Sequence, residues 1–74
     1  MKEKIKKLLN RDDISNEDDL FAKGVLDSFG VIVFIGKLEK ELGIRLKSED
    51  LIPQNFRNVD SISEIATRYI EKTN

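Results

Sequence analysis

Apolar residues recur at helical spacing in three stretches of the 74-residue chain. This period predicts a first helix over residues 2–9, a longer one over residues 28–42 and a last one over residues 61–72. Gly43 directly follows the second stretch and is the stop signal expected there. The stripes of the first and last helices consist of Ile5, Leu8 and Leu9, and of Ile62, Ile65, Ala66, Tyr69 and Ile70. The pattern predicts an all-α fold, a small bundle of three or four helices with a long loop between the first two.

The long predicted helix carries apolar residues on two opposite sides. One stripe is predicted to face the core and consists of Val31, Phe34, Ile35, Leu38 and Leu42. The opposite group, here called the second stripe, consists of Phe29, Ile32, Val33 and Gly36, with Lys40 extending the row. Because so small a domain cannot easily bury both sides of one helix, we expect the second stripe to be partly exposed and to dock partner proteins. The alternative is that another helix or a loop covers it.

The first connection, residues 11–27, is longer than the loops that compact domains usually contain. Gly24 is expected to adopt a turn conformation that a side chain would resist, and residues 15–18 could form a single capped helical turn. The acidic residues of the loop lack the alternating spacing of a calcium-binding loop and are predicted to be solvated, so no metal site is expected. Five apolar residues are expected to anchor the loop to the domain: Ile14, Leu20, Phe21, Val25 and Leu26.

The second connection, residues 44–58, contains three predicted apolar anchors, Leu51, Ile52 and Phe56. Pro53 favours a short helix over residues 54–57, because proline suits the first turn of a helix. The sequence Ser-Ile-Ser-Glu at residues 61–64 matches a capping box, which predicts that the last helix begins at Ser61.

Composition narrows the classes of function. Lysine and arginine number 13 and aspartate and glutamate 14, a net charge of −1 that provides no basic surface for nucleic acid. The sequence has no histidine, cysteine or tryptophan, which excludes a Cys-His or Ser-His nucleophilic pair and a zinc site built from His or Cys. The longest apolar run, residues 31–35, is too short to cross a membrane. We expect one domain over residues 1–74, monomeric, cytoplasmic and not an enzyme.

Asp27 and Ser28 stand where the long loop meets the most apolar helix. A serine hydroxyl at the start of a helix lies near the positive end of the helix dipole and near backbone N–H groups that have no partner within the helix. Such a position suits a phosphate group. The simpler interpretation is that Asp27 or Ser28 only caps the helix.

The stretch Gly-Val-Leu-Asp-Ser-Phe-Gly at residues 24–30, preceded by Leu20 and Phe21, resembles the attachment motif of the acyl carrier protein family. The resemblance covers nearly the whole chain and is nearest to the D-alanyl and peptidyl carrier branch. Fatty-acid carriers more often have alanine where this chain has Leu26, and an acidic residue where it has Val33. D-alanyl carriers usually have a tryptophan before the last helix, which this chain lacks, so the identity of the cargo stays open.

The resemblance implies that Ser28 carries 4′-phosphopantetheine, flanked by Leu26, Asp27 and Phe29. It also implies three partners: a phosphopantetheinyl transferase that attaches the arm from coenzyme A, a ligase that activates an acyl or aminoacyl group, and an acceptor enzyme. The chain would then be a stand-alone carrier that moves a thioester-bound group between enzymes. The alternative is a small helical interaction module that has no prosthetic group and docks a partner helix on the second stripe.

Overall fold

The computed structural model describes residues 1–73, and all regular structure within them is helical. Three α-helices follow in order, with two 3₁₀ turns between the second and third: α1 Lys2–Leu9, α2 Gly30–Leu42, the turns Ser48–Asp50 and Pro53–Phe56, and α3 Val59–Thr73. The predicted all-α fold is therefore confirmed, with α1 at its predicted bounds.

α1 packs against both α2 and α3, and the Pro53–Phe56 turn packs against α3. The centre of the bundle is formed by side chains with at most 1% exposure from every part of the chain: Ile5, Leu20, Leu38, Phe56, Val59, Ile62, Ile65 and Ala66. The predicted core stripe of α2 is confirmed, since Phe34 and Leu38 are buried and Val31, Ile35 and Leu42 pack against the core. This packing uses one side of α2 and leaves the other side to solvent.

The long loop between α1 and α2 is fixed to the bundle by backbone hydrogen bonds as well as by apolar side chains. The Leu20 N–H donates to the carbonyl of Arg57 at 2.7 Å, and the Asp60 N–H of α3 donates to the carbonyl of Asn16 at 3.1 Å. Gly24 has φ +73°, the left-handed conformation that its position predicted. Ile14 and Leu26 are buried, so the loop is anchored to the core immediately before residues 27–29.

Two acidic residues of this loop are not simply solvated, as predicted, but hold the backbone. Asp19 accepts hydrogen bonds from the N–H groups of Phe21 and Ala22, both at 3.0 Å. Asp18 accepts the Ser15 N–H at 2.8 Å, and this bond lowers the pKa of its carboxyl. Residues 16–18 form a turn and not the helical turn predicted there. The carboxylates take these roles because loop N–H groups lack the partners that a helix would supply.

Two predicted helix starts are displaced by two residues. α2 begins at Gly30 and not at residue 28, because Ser28 and Phe29 lie in a turn. α3 begins at Val59 and not at Ser61. The predicted capping box is wrong, because the side chain of Asn58 accepts the Ser61 N–H at 2.7 Å and thereby caps the helix.

The connection from α2 to α3 differs from the prediction in its anchors. Phe56 is buried, but Leu51 and Ile52 are 41% and 40% exposed, and the short helix predicted over residues 54–57 is the 3₁₀ turn Pro53–Phe56. Polar contacts hold this segment instead. The Tyr69 hydroxyl donates to the Asp50 carboxylate and accepts the Lys47 N–H at 3.0 Å, while the Asn55 side chain donates to the Asp50 carbonyl at 2.8 Å.

Candidate attachment site

Asp27 caps the entry to α2 with two hydrogen bonds. Its carboxylate accepts the Gly30 N–H at 2.5 Å, and its carbonyl accepts the Val31 N–H at 2.9 Å. These are the bonds of an N-cap residue, whose side chain and carbonyl serve the first turn. The capping role considered for Asp27 is thus present, and Ser28 is the residue that follows the cap.

Ser28 is exposed in the turn between Asp27 and α2. Within residues 1–73 the N–H groups of Ser28 and Phe29 donate to no other group. An exposed hydroxyl beside two free N–H groups at a helix start fits a phosphodiester, whose oxygens accept hydrogen bonds and whose charge the helix dipole favours. Leu26, on the other side of Asp27, is buried and anchors this turn to the core.

An apolar groove of about 430 Å³ lies beside Ser28. Its lining combines the loop, one edge of α2 and the segment before α3: Phe21, Ser28, Val31, Ile32, Ile35, Leu51, Ile52, Pro53 and Phe56. Ser28 is the one polar residue among them. Sequence reasoning missed this groove. The available signal was the run Leu51-Ile52-Pro53, which is apolar but has no helical period that would direct it to the core.

The second stripe is exposed, as predicted. Phe29 is 76% exposed, Ile32 65% and Val33 43%, and Gly36 and Lys40 also lie at the surface. No side chain or loop of the described residues covers these positions. Phe29 and Ile32 extend from the turn at Ser28 along α2, so an apolar surface begins next to Ser28.

α2 carries charged residues of both signs towards its end. Glu39 accepts the Leu46 N–H at 2.8 Å, and Glu41 pairs with Lys4 of α1 at 3.6 Å. Glu39 is half-buried, whereas Glu41, Lys37 and Lys40 are exposed. The second stripe itself is apolar from Phe29 to Gly36 and ends at the basic Lys40.

No helix within residues 1–73 is both long and apolar enough to span a membrane. No curated protein matches the sequence at a significant level. A family model described as phosphopantetheine attachment site matches residues 1–67, which include the whole fold up to the middle of α3. Proteins of this family are carriers and not catalysts, and they hold a covalently attached 4′-phosphopantetheine. The chain therefore belongs to the phosphopantetheine attachment site family of acyl-carrier-type domains.

Proposed function

We propose that Ser28 is the residue to which 4′-phosphopantetheine is attached, and that the protein carries an acyl or aminoacyl group between separate enzymes. The observation that carries this proposal is the exposed Ser28 directly after the Asp27 cap, beside free N–H groups and an apolar groove. The family match supports it, because the matched residues 1–67 include this turn.

Attachment requires the Ser28 Oγ to attack a phosphorus atom of coenzyme A. A P–O bond to Oγ forms, the bond to the nucleotide half breaks, and the hydroxyl proton is taken up by the transferase. Ser28 meets the steric requirement, because it is exposed and lies in a turn that the Asp27 cap holds. When attached, the arm supplies the thiol that holds the cargo as a thioester, a group that this cysteine-free chain does not have.

The partners are a phosphopantetheinyl transferase, a ligase that charges the arm, and an acceptor enzyme. We propose that they dock on the second stripe, at Phe29, Ile32, Val33, Gly36 and Lys40. Support comes from the exposure of these residues and from their place on the helix that begins next to Ser28. Ile32 and Val33 lie about one helical turn from Ser28, since one turn rises about 5.4 Å, so a partner that contacts them lies beside Ser28. The monomeric state and the cytoplasmic location stay predictions.

Intact mass spectrometry tests the attachment site. The protein is incubated with coenzyme A and a broad-specificity phosphopantetheinyl transferase, and the wild type is expected to gain the mass of one arm. Ser28→Ala is expected to gain nothing while its melting curve stays close to that of the wild type. Ser48→Ala is the matched control, because Ser48 is also exposed, and it is expected to gain the arm at the wild-type rate.

Two results would contradict the proposal. A wild-type protein that never gains mass would favour the interaction module without a prosthetic group. Loading of Ser28→Ala would show that another hydroxyl is the acceptor.

A further inference from the structure

Gly30, the first residue of α2, is the glycine of this chain at which an added side chain would meet another group. A Cβ built on Gly30 would lie 3.0 Å from the Oδ1 atom of Asp27 and 3.7 Å from its Cγ. The same Oδ1 accepts the Gly30 N–H. The Asp27 carboxylate therefore sits against the bare α-carbon of Gly30 while it caps α2.

The backbone conformation does not by itself require glycine at this position. Gly30 is the first residue of α2, and the positive φ angles of glycine in this chain occur at Gly24 and Gly43. A helical glycine costs about 1 kcal/mol relative to alanine. A Cβ added to Gly36, in the same helix, would have nothing within 4 Å. What distinguishes Gly30 is the Asp27 carboxylate.

The Asp27 cap in turn fixes the segment that holds Ser28. The buried Leu26 anchors the chain before the turn, and the buried Phe34 anchors α2 after it. Asp27, Ser28 and Phe29 between them are exposed. Their hydrogen bonds to the rest of the domain are those in which Asp27 accepts the N–H groups of Gly30 and Val31, and the Phe29 carbonyl accepts those of the following turn of α2. Loss of the carboxylate contact would leave the turn less tightly held.

We infer that Gly30 is a positioning residue for arm attachment. Because Gly30 has no side chain, the Asp27 carboxylate can lie against its α-carbon and accept its N–H. This contact holds the turn that presents Ser28 to the transferase. The inference rests on the proposed function of Ser28. In this role Gly30 acts through the Asp27 carboxylate.

A thermal double-mutant cycle tests the contact itself. Gly36→Ala gains helix propensity with no new contact and is expected to raise the melting temperature by about 4–8 °C. Gly30→Ala, at the first residue of the helix, gains part of that propensity but displaces the carboxylate, so its melting temperature is expected to stay near that of the wild type. In the Asp27→Ala background, where no carboxylate can be displaced, Gly30→Ala is expected to raise the melting temperature above that of Asp27→Ala alone.

The rate of arm attachment tests the positioning role. If Gly30 contributed only to stability, its substitution would leave the attachment rate of the folded protein unchanged. We expect Gly30→Ala to lower kcat/KM for transfer from coenzyme A by about three- to tenfold, the range that loss of a cap corresponds to, and Gly30→Val to lower it further. Folded Gly30→Ala that loads at the wild-type rate would overturn the inference and leave the proposed function of Ser28 intact. So would a Gly30→Ala melting temperature raised as far as that of Gly36→Ala. A wild-type protein that is not loaded would refute the proposed function and this inference together.

Discussion

The exposure of Ile32 gives the binding free energy that a partner would lose if this residue of the second stripe were replaced. Ile32 is 65% exposed, so docking a partner on it can bury about two thirds of its side chain. Full burial of an isoleucine side chain is worth about 1.5–3 kcal/mol, so Ile32 contributes about 1–2 kcal/mol to a docked complex. Ile32→Asp removes that contribution and places a carboxylate without a partner against an apolar surface, which costs about 1–3 kcal/mol more.

Together these effects predict that Ile32→Asp weakens productive docking by about 2–5 kcal/mol, a loss of about 30-fold or more in kcat/KM. The assay is the initial rate of arm transfer from coenzyme A by the broad-specificity transferase, followed by intact mass. Val33→Asp should lose less, because Val33 is smaller and only 43% exposed. The melting temperature should fall by less than about 4 °C, since exposed substitutions change stability by about 0.5 kcal/mol.

Thr67→Asp is the matched control, because it introduces the same charge at an exposed position of α3. It should be loaded at the wild-type rate. The difference between Ile32→Asp and Thr67→Asp should persist between about 0.1 M and about 1 M salt, because an apolar contact is not screened. Loading of Ile32→Asp within about threefold of the Thr67→Asp rate would refute a docking role for this residue. Unfolding of Ile32→Asp would refute the premise that Ile32 is at the surface.

Two further predictions concern stability. Leu38 and Ile65 have 0% and 1% exposure. Truncation of either to alanine should lower the free energy of unfolding in urea by about 2–5 kcal/mol, a large part of the total stability of so small a domain. Urea midpoints equal to that of the wild type would contradict the packing described. The second concerns Tyr69, because its hydrogen bond to Asp50 raises the pKa of the tyrosine above its ordinary value of 10.0. The folded pKa exceeds the unfolded one, so this contribution is complete below about pH 10 and is lost as the pH rises through the folded value. Tyr69→Phe should therefore be less stable than the wild type by about 1 kcal/mol at neutral pH, with the gap closing in alkaline solution. A gap that is constant with pH would show that the contact with Asp50 does not raise the tyrosine pKa.

The periodicity of apolar residues was sufficient to predict the three helices and the buried side of α2. A helix of this kind is stabilised by the stripe it buries, and the stripe is visible in the spacing of residues such as Phe34 and Leu38. The positions of Gly24 and Gly43 were also predictable, because a left-handed backbone strongly favours glycine. The motif around Ser28 sufficed for the family, which the match over residues 1–67 then confirmed.

The helix ends were predicted less accurately than the helices themselves. Several residues near each end can serve as a cap, and only the final backbone geometry selects one of them. Asn58 and not Ser61 caps α3, and Asp27 together with the bare α-carbon of Gly30 determines how the chain enters α2. The sequence indicated a capping residue near Ser28 but could not indicate what its carboxylate would touch.

Only the tertiary structure decided what surrounds Ser28. Leu51 and Ile52 are distant from α2 in sequence and have no helical period of their own, yet they meet Ile32 and Ile35 across the groove. They arrive there because Tyr69 of α3 holds the segment through Asp50 and Lys47. Contacts between residues so far apart depend on how the helices pack, which the spacing of apolar residues within each helix does not encode. The sequence alone therefore determined the helices and the motif, and packing determined the surface that the motif presents.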